Sequence, residues 1–397
     1  MTASLALATS VSVHAVSLRQ VVRYALDNDP SIVAASADRT AAGYEIDRAR
    51  AKHMPTVDLA GSRRLAGDTD NSLGPRVRLN LWASGAIDAE IERETWREQS
   101  LVSRLSEQRE AVAFDTLSAY VRLLTARELL AAQRKNFDRH AELVDDFRQI
   151  VRIDRGRRFD LVQASARLEQ LRFQVAEAEA EVAQAREALV RFYPPGVEAE
   201  AITDPPELSE PEPMTAARMQ ALIDQHPAVL AAQRDLRSAR SNVGLASASR
   251  GPRLDLETRT GANSFSQVTL SWPAFDPGAA ATEAAAAASL TGAQANVEQE
   301  RRIVTERLRS ADHAWRTARQ RSAIAADQIR VATQLVEVYR EQFGIGRRNL
   351  LDLLNAYAEL ANAESAAVRS RLEASLARYK IEYAIGRLTL LFVSGSR

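Results

Sequence analysis

The side chains that most often carry chemistry are sparse in this sequence. It contains no cysteine, which excludes disulfides, thiolate metal sites, a catalytic thiol and acylation of an N-terminal cysteine. The five histidines show no spacing typical of metal ligands: His14, His53, His140, His226 and His313. Gly244, Gly251 and Gly261 form no phosphate loop, because no Gly-Lys-Ser/Thr follows them. No acyl-transfer or paired-carboxylate arrangement stands out, so we predict a protein that is not an enzyme and uses no metal or cofactor.

The composition is typical of a protein built from long helices. Lys plus Arg and Asp plus Glu both number 52, and the zero net charge argues against a nucleic-acid binder that works through excess basic charge. Glycine (16) and proline (13) are scarce among 397 residues, which disfavours a β-sandwich or a nucleotide-binding α/β fold. No stretch approaches the ~18 to 20 uninterrupted apolar residues of a transmembrane helix.

Four anchor positions recur in the same order, which indicates an internal duplication. The anchor pairs are Pro30 and Pro227, Pro55 and Pro252, Trp82 and Trp272, and Gly156 and Gly346. The first two pairs are 197 residues apart and the last two are 190 apart. The offset changes between Pro252 and Trp272, so the second copy has a shorter strand hairpin and otherwise the same plan.

Each copy contains two short runs in which apolar and polar residues alternate. In the first copy the apolar positions of one run are Val77, Leu79 and Leu81, and in the second copy they are Val268, Leu270 and Trp272. The charged residues Asp255, Glu257 and Arg259 share one face of a neighbouring run. This period of two predicts strands with one apolar and one charged face.

Two helices of unusual length follow these strands. After Gly85, and again after Gly278, roughly 65 to 70 residues contain no proline, which predicts helices on the order of 100 Å long. No globular core buries such a helix, so each must pack beside others. Apolar residues seven apart predict coiled-coil seams, and these are Leu123, Leu130, Phe137, Val144 and Val151, and then Ile324, Val331, Val338 and Ile345.

These patterns divide the chain into two similar halves. Residues 1–15 resemble the apolar region and cleavage site of an export signal. The first structural repeat spans 16–193, with strands at 56–65 and 75–82 and a helical hairpin whose tip lies near 155–160. A proline-rich linker spans 194–213, and the second repeat spans 214–393, with strands at 253–260 and 265–272 and a tip near 345–352.

Four strands cannot close on themselves, whereas a membrane barrel needs at least ~8, because every backbone group in lipid must be paired. We therefore predict that several chains share one barrel and that their long helices surround the same axis. The predicted fold is mainly α, with a short membrane β-barrel continuous with a long coiled-coil α-barrel. Such a molecule is an oligomeric conduit.

The sequence resembles the TolC-like family of outer-membrane efflux and secretion channels, from Ser17 to about Leu391. The resemblance is carried by the two Asn/His-x-Pro helix starts, the duplicated hairpins, and the motifs Gly156-Arg157-Arg158-Phe159-Asp160-Leu161 and Gly346-Arg347-Arg348-Asn349-Leu350-Leu351-Asp352. The Gly-Arg-Arg motif looks most like that of the type I secretion branch, which exports toxins or adhesins. The resemblance implies a homotrimer with a twelve-stranded barrel in the outer membrane of a Gram-negative bacterium and helices in the periplasm. It also implies a periplasmic adaptor, an inner-membrane ATP-driven transporter and an exported polypeptide as partners.

The resemblance also implies roles for residues at the hairpin tips. The expected tip latch and adaptor contacts are Gly156, Arg157, Arg158, Asp160, Gly346, Arg347 and Arg348. We expect Gly156 and Gly346 to adopt left-handed turns after long helices. Arg348 and Asp160 are the candidate latch pair, which as an exposed ion pair is worth ~0 to 1 kcal/mol.

The family's periplasmic constriction matches two further positions, Asp352 and Asn355. Asn355 departs from the family's second acidic residue, so the resemblance implies one carboxylate ring instead of two. The alternative interpretation is a solvated turn in which Asp352 caps the following helix.

Trp82 and Trp272 end the second strand of each copy and are predicted to form an aromatic belt at the membrane surface, or else to pack where barrel and helices meet.

Two other functions remain open. One is the outer-membrane duct of a multidrug or small-molecule efflux pump, although the absence of a lipidated N-terminal cysteine favours secretion. The other is a periplasmic coiled-coil adaptor or scaffold without a pore.

Overall fold

The computed structural model describes residues 17–63, 71–193, 202–261, 264–273 and 275–393. The predicted export signal at 1–15 lies outside these ranges, as do the end of the first predicted strand after Arg63 and the linker residues 194–201. The helices are α1 (Leu18–Asn28), α2 (Pro30–Ala51), α3 (Ala86–Ile153), α4 (Arg158–Val190), α5 (Ala216–Gln225), α6 (Pro227–Ala248), α7 (Pro277–Gly344), α8 (Leu350–Ile385) and α9 (Leu388–Val393). The strands are β1 (Thr56–Arg63), β2 (Asn71–Trp82), β3 (Arg253–Arg259) and β4 (Phe265–Ser271).

The helix starts follow from local capping. The side chain of Ser17 accepts a hydrogen bond from the backbone of Gln20, whose own side chain binds the backbone of Ser17, so that a capping box starts α1. At the start of α6 the Nδ1 atom of His226 accepts a hydrogen bond of 3.2 Å from the amide of Ala228, and Pro227 takes the first helical position. The order of two helices, two strands and two long helices occurs twice along the chain.

The long helices are predicted well in extent. Both α3 and α7 contain 68 residues. Within the described ranges, no helix is both long and apolar enough to cross a membrane.

Clustering of contacts divides the chain into two compact units, which we call the strand unit and the helix unit. The strand unit comprises the described parts of Pro30–Arg109 and Thr215–Glu306. The helix unit comprises the described parts of Met1–Asp29, Glu110–Met214 and Arg307–Arg397.

The strand unit contains one antiparallel sheet of four strands in the order β1-β2-β3-β4. Leu79 pairs with Leu256 and Leu256 with Val268, so apolar residues of adjacent strands share one face. Arg76 and Asp58 lie on the opposite face, where their side chains approach to 2.6 Å. A bulge between Asn80 and Trp82 shifts the register near the end of β2.

The core of the helix unit lies between α3, α4, α7 and α8. It contains Phe147 of α3, Ala164 of α4, Val336 of α7 and Leu353 of α8, together with their buried neighbours. The segment 202–214 is held against these helices, because the hydroxyl of Tyr379 donates to the carbonyl of Pro206 at 2.7 Å.

The second predicted seam is exposed within one chain. Its members, Ile324, Val331 and Val338 of α7 and Ile345 just after the end of α7, are 47 to 68% exposed. The buried residues of α7 that recur every seven positions are instead Val297, Val304, Ala311, Ala318, Ala325 and Ala332. Alanine lets neighbouring helix axes approach closely, so the packed face is the one with the smaller side chains. On α3 the predicted seam holds in part, since Leu123 and Val144 are buried and its other three members are half-buried.

Candidate functional site

The first hairpin turn is built by an aspartate cap. After α3 ends at Ile153, the Oδ1 atom of Asp154 accepts a hydrogen bond of 2.9 Å from the amide of Gly156. A short 3₁₀ turn, Arg155–Arg157, then leads into α4. Gly156 is not among the glycines with positive φ, so the expected left-handed conformation is wrong at this position. Glycine suits it for another reason, because a Cβ atom would lie 3.1 Å from the Asp154 carboxylate.

The second hairpin turn has the predicted left-handed glycine. Gly346 has φ of 74°, its amide donates to the carbonyl of Phe343 at 3.0 Å, and the amide of Arg347 donates to the carbonyl of Gln342 at 2.8 Å. This pair of bonds is a Schellman motif, which satisfies the last carbonyls of α7. A non-glycine residue at 346 would be strained by the backbone angle itself.

Asp352 lies in the first turn of α8 but does not cap it. The cap is Asn349, whose Oδ1 atom accepts a hydrogen bond of 2.8 Å from the amide of Asp352. The carboxylate of Asp352 is 34% exposed and lies 3.5 Å from the guanidinium of Arg348. Asn355 is exposed one helical turn further on. The carboxylate of Asp352 is thus partly exposed and is paired with an arginine of its own turn.

The candidate latch residues contact their own turns. The guanidinium of Arg348 donates to the side chain of Gln342 at 3.0 Å and lies 4.3 Å from the ring centroid of Tyr339. Asp160 pairs with Arg157 at 3.2 Å. Among the described residues of one chain, Arg348 and Asp160 therefore do not form an ion pair.

Aromatic contacts, which no sequence pattern predicts, join the two hairpins near their tips. Phe147 of α3 is fully buried, and its ring centroid lies 5.7 Å from that of Phe343 of α7. Beside them a groove of about 470 Å³ is lined by Tyr357, Leu353 and charged residues, among them Arg340. No spacing rule pairs residues 147 and 343, because they are remote in sequence.

A half-buried carboxylate, that of Glu364, links α3 to α8. Glu364 receives hydrogen bonds of 2.7 and 3.0 Å from Arg139 and one of 3.1 Å from Lys135. Burial opposes the charge of Glu364, but the hydrogen bonds from Arg139 and Lys135 prevail and hold the pKa of this carboxyl below its usual range. The residue after Arg139, His140, is buried, and burial lowers the pKa of its imidazole.

The sheet of the strand unit separates apolar from charged side chains. Exposed apolar residues cover one face, with Val57 69%, Leu59 72%, Val268 58% and Leu270 65% exposed. On the other face Arg76 bridges Asp58 at 2.6 Å and Glu257 at 3.7 Å. Trp82 and Trp272 are 51% and 68% exposed at the end of the sheet from which α3 and α7 follow in sequence.

A sheet with one apolar and one charged face, followed in each half by a helix of 68 residues and a tight turn, defines a class of protein: the TolC-like channels. The sequence matches the family model described as outer membrane efflux protein at residues 21–193 and 219–387, and the chain belongs to this family. The family consists of channels, and the chain is not an enzyme.

Solved structures share the fold. The chain is similar to the open state of the MtrE outer membrane channel of Neisseria gonorrhoeae, with 20% identity over 93% of this chain and 88% of that one and a TM-score of 0.81. The CmeC outer membrane channel of Campylobacter jejuni gives 18% identity, coverage of 93% and 85%, and a TM-score of 0.81. A membrane protein of Pseudomonas aeruginosa gives 20% identity, coverage of 93% of this chain and 90% of that one, and a TM-score of 0.81. No curated protein sequence matches the chain.

Proposed function

We propose that several copies of this chain form an outer-membrane channel-tunnel that exports cargo from a Gram-negative cell. The observation that carries the proposal is the sheet, whose apolar face is exposed while its other face holds paired charges. Lipid would cover the first face and water in a lumen would solvate the second.

The number of strands requires more than one copy. Among the described residues, β1 and β4 are the edges of the sheet, and four strands are too few to close a barrel, which needs at least ~8. The resemblance to TolC-like channels favours a homotrimer with twelve strands. In this assembly Trp82 and Trp272 would lie in the aromatic belt of the membrane surface.

The hairpin tips are the proposed periplasmic gate. Asp352 forms the single carboxylate ring of the constriction, and Asn355 occupies the next turn without charge. Arg157, Arg158 and Arg347 contact the periplasmic adaptor, which connects the channel to an inner-membrane ATP-driven transporter. Since Arg348 and Asp160 have other partners within one chain, a link between them requires a rearrangement of the turns or a second chain.

Two classes of cargo fit this duct. The family description, outer membrane efflux protein, favours efflux of small molecules. The Gly-Arg-Arg turns favour the type I branch, which exports a protein toxin or adhesin. A pore-free adaptor or scaffold fits less well, because it leaves the exposed apolar face of the sheet without a role.

A pair of neighbouring substitutions in β4 tests the membrane assignment. Leu270→Arg places a charge on the apolar face at a cost of about 2 to 4 kcal/mol near the bilayer centre. It should reduce the amount of full-length chain in the outer-membrane fraction at least tenfold. Thr269→Arg, on the opposite face of the same strand, is the matched control and should leave that amount unchanged. Equal outer-membrane levels of the two variants would reject the assignment of the faces.

The cargo is tested in a strain that lacks the gene. Small-molecule efflux predicts that this strain becomes sensitive to a panel of toxic compounds, whereas type I secretion predicts that a large protein disappears from the culture supernatant. Complementation with the parent chain should reverse the change. A strain that shows neither change would argue against both cargo classes.

A further inference from the structure

One titratable side chain that the proposed function leaves without a role is His140, which lies where α3 packs against α8. The residue is 1% exposed, and the centroid of its ring lies 5.4 Å from that of Tyr357 of α8. His140 precedes the end of α3 at Ile153 by 13 residues, or about 20 Å of helix. It therefore belongs to the packed interior that joins the first hairpin to the second one.

The hydrogen bonds of His140 favour a neutral imidazole. Its Nδ1 atom lies 2.9 Å from the carbonyl oxygen of Asn136, which can only accept, so Nδ1 carries the proton of the neutral ring. The Nε2 atom is buried and has no hydrogen-bond partner among the described residues. The side-chain oxygen of Asn136 is not its partner, since both atoms are unbonded within that part of the chain. A proton added at Nε2 would be a buried charge without an acceptor, which is costly.

The charges around His140 oppose a second positive charge. Arg139 of α3 and Arg167 of α4 both disfavour the imidazolium. From α8, His140 faces the phenol of Tyr357, whose pKa is raised by burial and which is therefore neutral. The charged groups that surround this phenol are Arg139, Glu142 and Asp146 of α3 and Arg340 of α7.

The carboxylate nearest to Arg139 on α8 is already engaged. Glu364 accepts hydrogen bonds from Arg139 and Lys135. The same bonds prevail over burial and hold the pKa of Glu364 below its usual range, so this link persists in mild acid. A change in the packing of α3 against α8 between pH 7 and 5 is thus attributable to the imidazole and not to loss of this ion pair.

The sign of the pH effect follows from the two states of His140. Burial first, and then Arg167 and Arg139, lower the pKa of the packed imidazole, whereas a solvated one has the ordinary value of 6.5. The opened form therefore binds more protons, and packing is most stable above pH 6.5 and weakens as pH falls below it. Between pH 7 and pH 5 the ratio of opened to packed forms rises by up to roughly 25-fold.

We propose that His140 is an acid-operated switch: uptake of a proton by its imidazole separates α3 from α8 and loosens the first hairpin. The role in gating rests on the proposed channel function, because the loosened hairpin carries one of the proposed gate turns. The separation itself is a property of the helix unit and is measured without any conductance.

Hydrogen exchange measured by mass spectrometry tests the separation. The full chain is purified in detergent and compared at pH 7 and pH 5, after correction for the intrinsic exchange rate at each pH. Peptides covering 136–147 of α3 and 353–363 of α8 should lose protection at pH 5 by at least about fivefold and up to roughly 25-fold.

Three variants isolate the imidazole. His140→Gln cannot take up the proton and should change its protection less than twofold between the two pH values. His140→Phe keeps a ring against Tyr357, cannot titrate, and gives the same test if the glutamine variant does not fold. His313→Gln removes an exposed histidine of the same helix unit and should respond to pH as the parent does.

The closed-state conductance in a planar bilayer tests the role in gating. It should rise at least about threefold from pH 7 to pH 5 in the parent and in His313→Gln, and stay constant in His140→Gln. Equal pH responses of exchange in the parent and His140→Gln, or greater protection of the parent at pH 5, would overturn the switch. Loss of protection with an unchanged conductance would overturn its role in gating and leave the channel standing. A parent that conducts at neither pH would reject the proposed function together with that role.

Discussion

Replacing Phe147 with alanine tests the aromatic link between the two hairpins. The side chain is fully buried, and its ring meets Phe343 at 5.7 Å, so its removal should cost about 3 to 5 kcal/mol. At about 1.4 kcal/mol per factor of ten, this raises the local opening equilibrium by roughly two to three and a half orders of magnitude. Hydrogen exchange measured by mass spectrometry on the peptide covering residues 143–153 should accelerate correspondingly.

Two further variants complete this test. Ile153→Ala is the matched control on the same segment, because that side chain is 92% exposed and should change the exchange rate less than threefold. Phe343→Ala removes a half-buried ring and should show an intermediate acceleration. If Phe147→Ala and Ile153→Ala exchange at the same rate, the apolar contact does not hold the end of α3 and the reasoning is refuted.

Three other variants give distinct readouts. Asp352→Ala should reduce cation selectivity or block by multivalent cations in single-channel recordings, whereas Asn355→Ala should not, and unchanged recordings for both would remove Asp352 from the constriction. Arg348→Ala loses the contacts with Asp352 and Tyr339, about 1 to 2 kcal/mol, and should raise the closed-state conductance roughly 5- to 30-fold; an unchanged resting current would contradict this. Burial lowers the pKa of His140 below its ordinary 6.5, so the unfolded chain takes up a proton first as pH falls below that value. The parent's thermal midpoint should therefore drop more between pH 7 and 5 than that of His140→Gln, and equal pH slopes would contradict the assignment.

Local patterns predicted the elements of this fold well. Proline-free stretches predicted α3 and α7, because helix length depends on the absence of breakers along the chain. Alternation predicted the four strands within a few residues, and β2 begins four residues earlier than expected, at Asn71. Gly346 adopts the expected left-handed turn because a glycine directly after a long helix can close it with a Schellman motif.

The packing of side chains between elements was harder to predict. The larger residues Ile324 and Val331 indicated the packed face of α7, yet Ala318 and Ala325 are the residues it buries within one chain. Large apolar residues identify a helix face that packs against another helix, but they do not show whether that helix belongs to the same chain. The turn at Gly156 likewise depends on a side-chain cap from Asp154 that helix-end rules do not anticipate.

The central claim is that copies of this chain enclose a water-filled path across a membrane. Its most direct test is the current through a planar lipid bilayer to which the purified full-length chain, oligomeric by light scattering, has been added. We predict discrete conductance steps of uniform size that disappear with Leu270→Arg and persist with Thr269→Arg. An oligomeric parent chain that inserts into the bilayer and never conducts would contradict the claim.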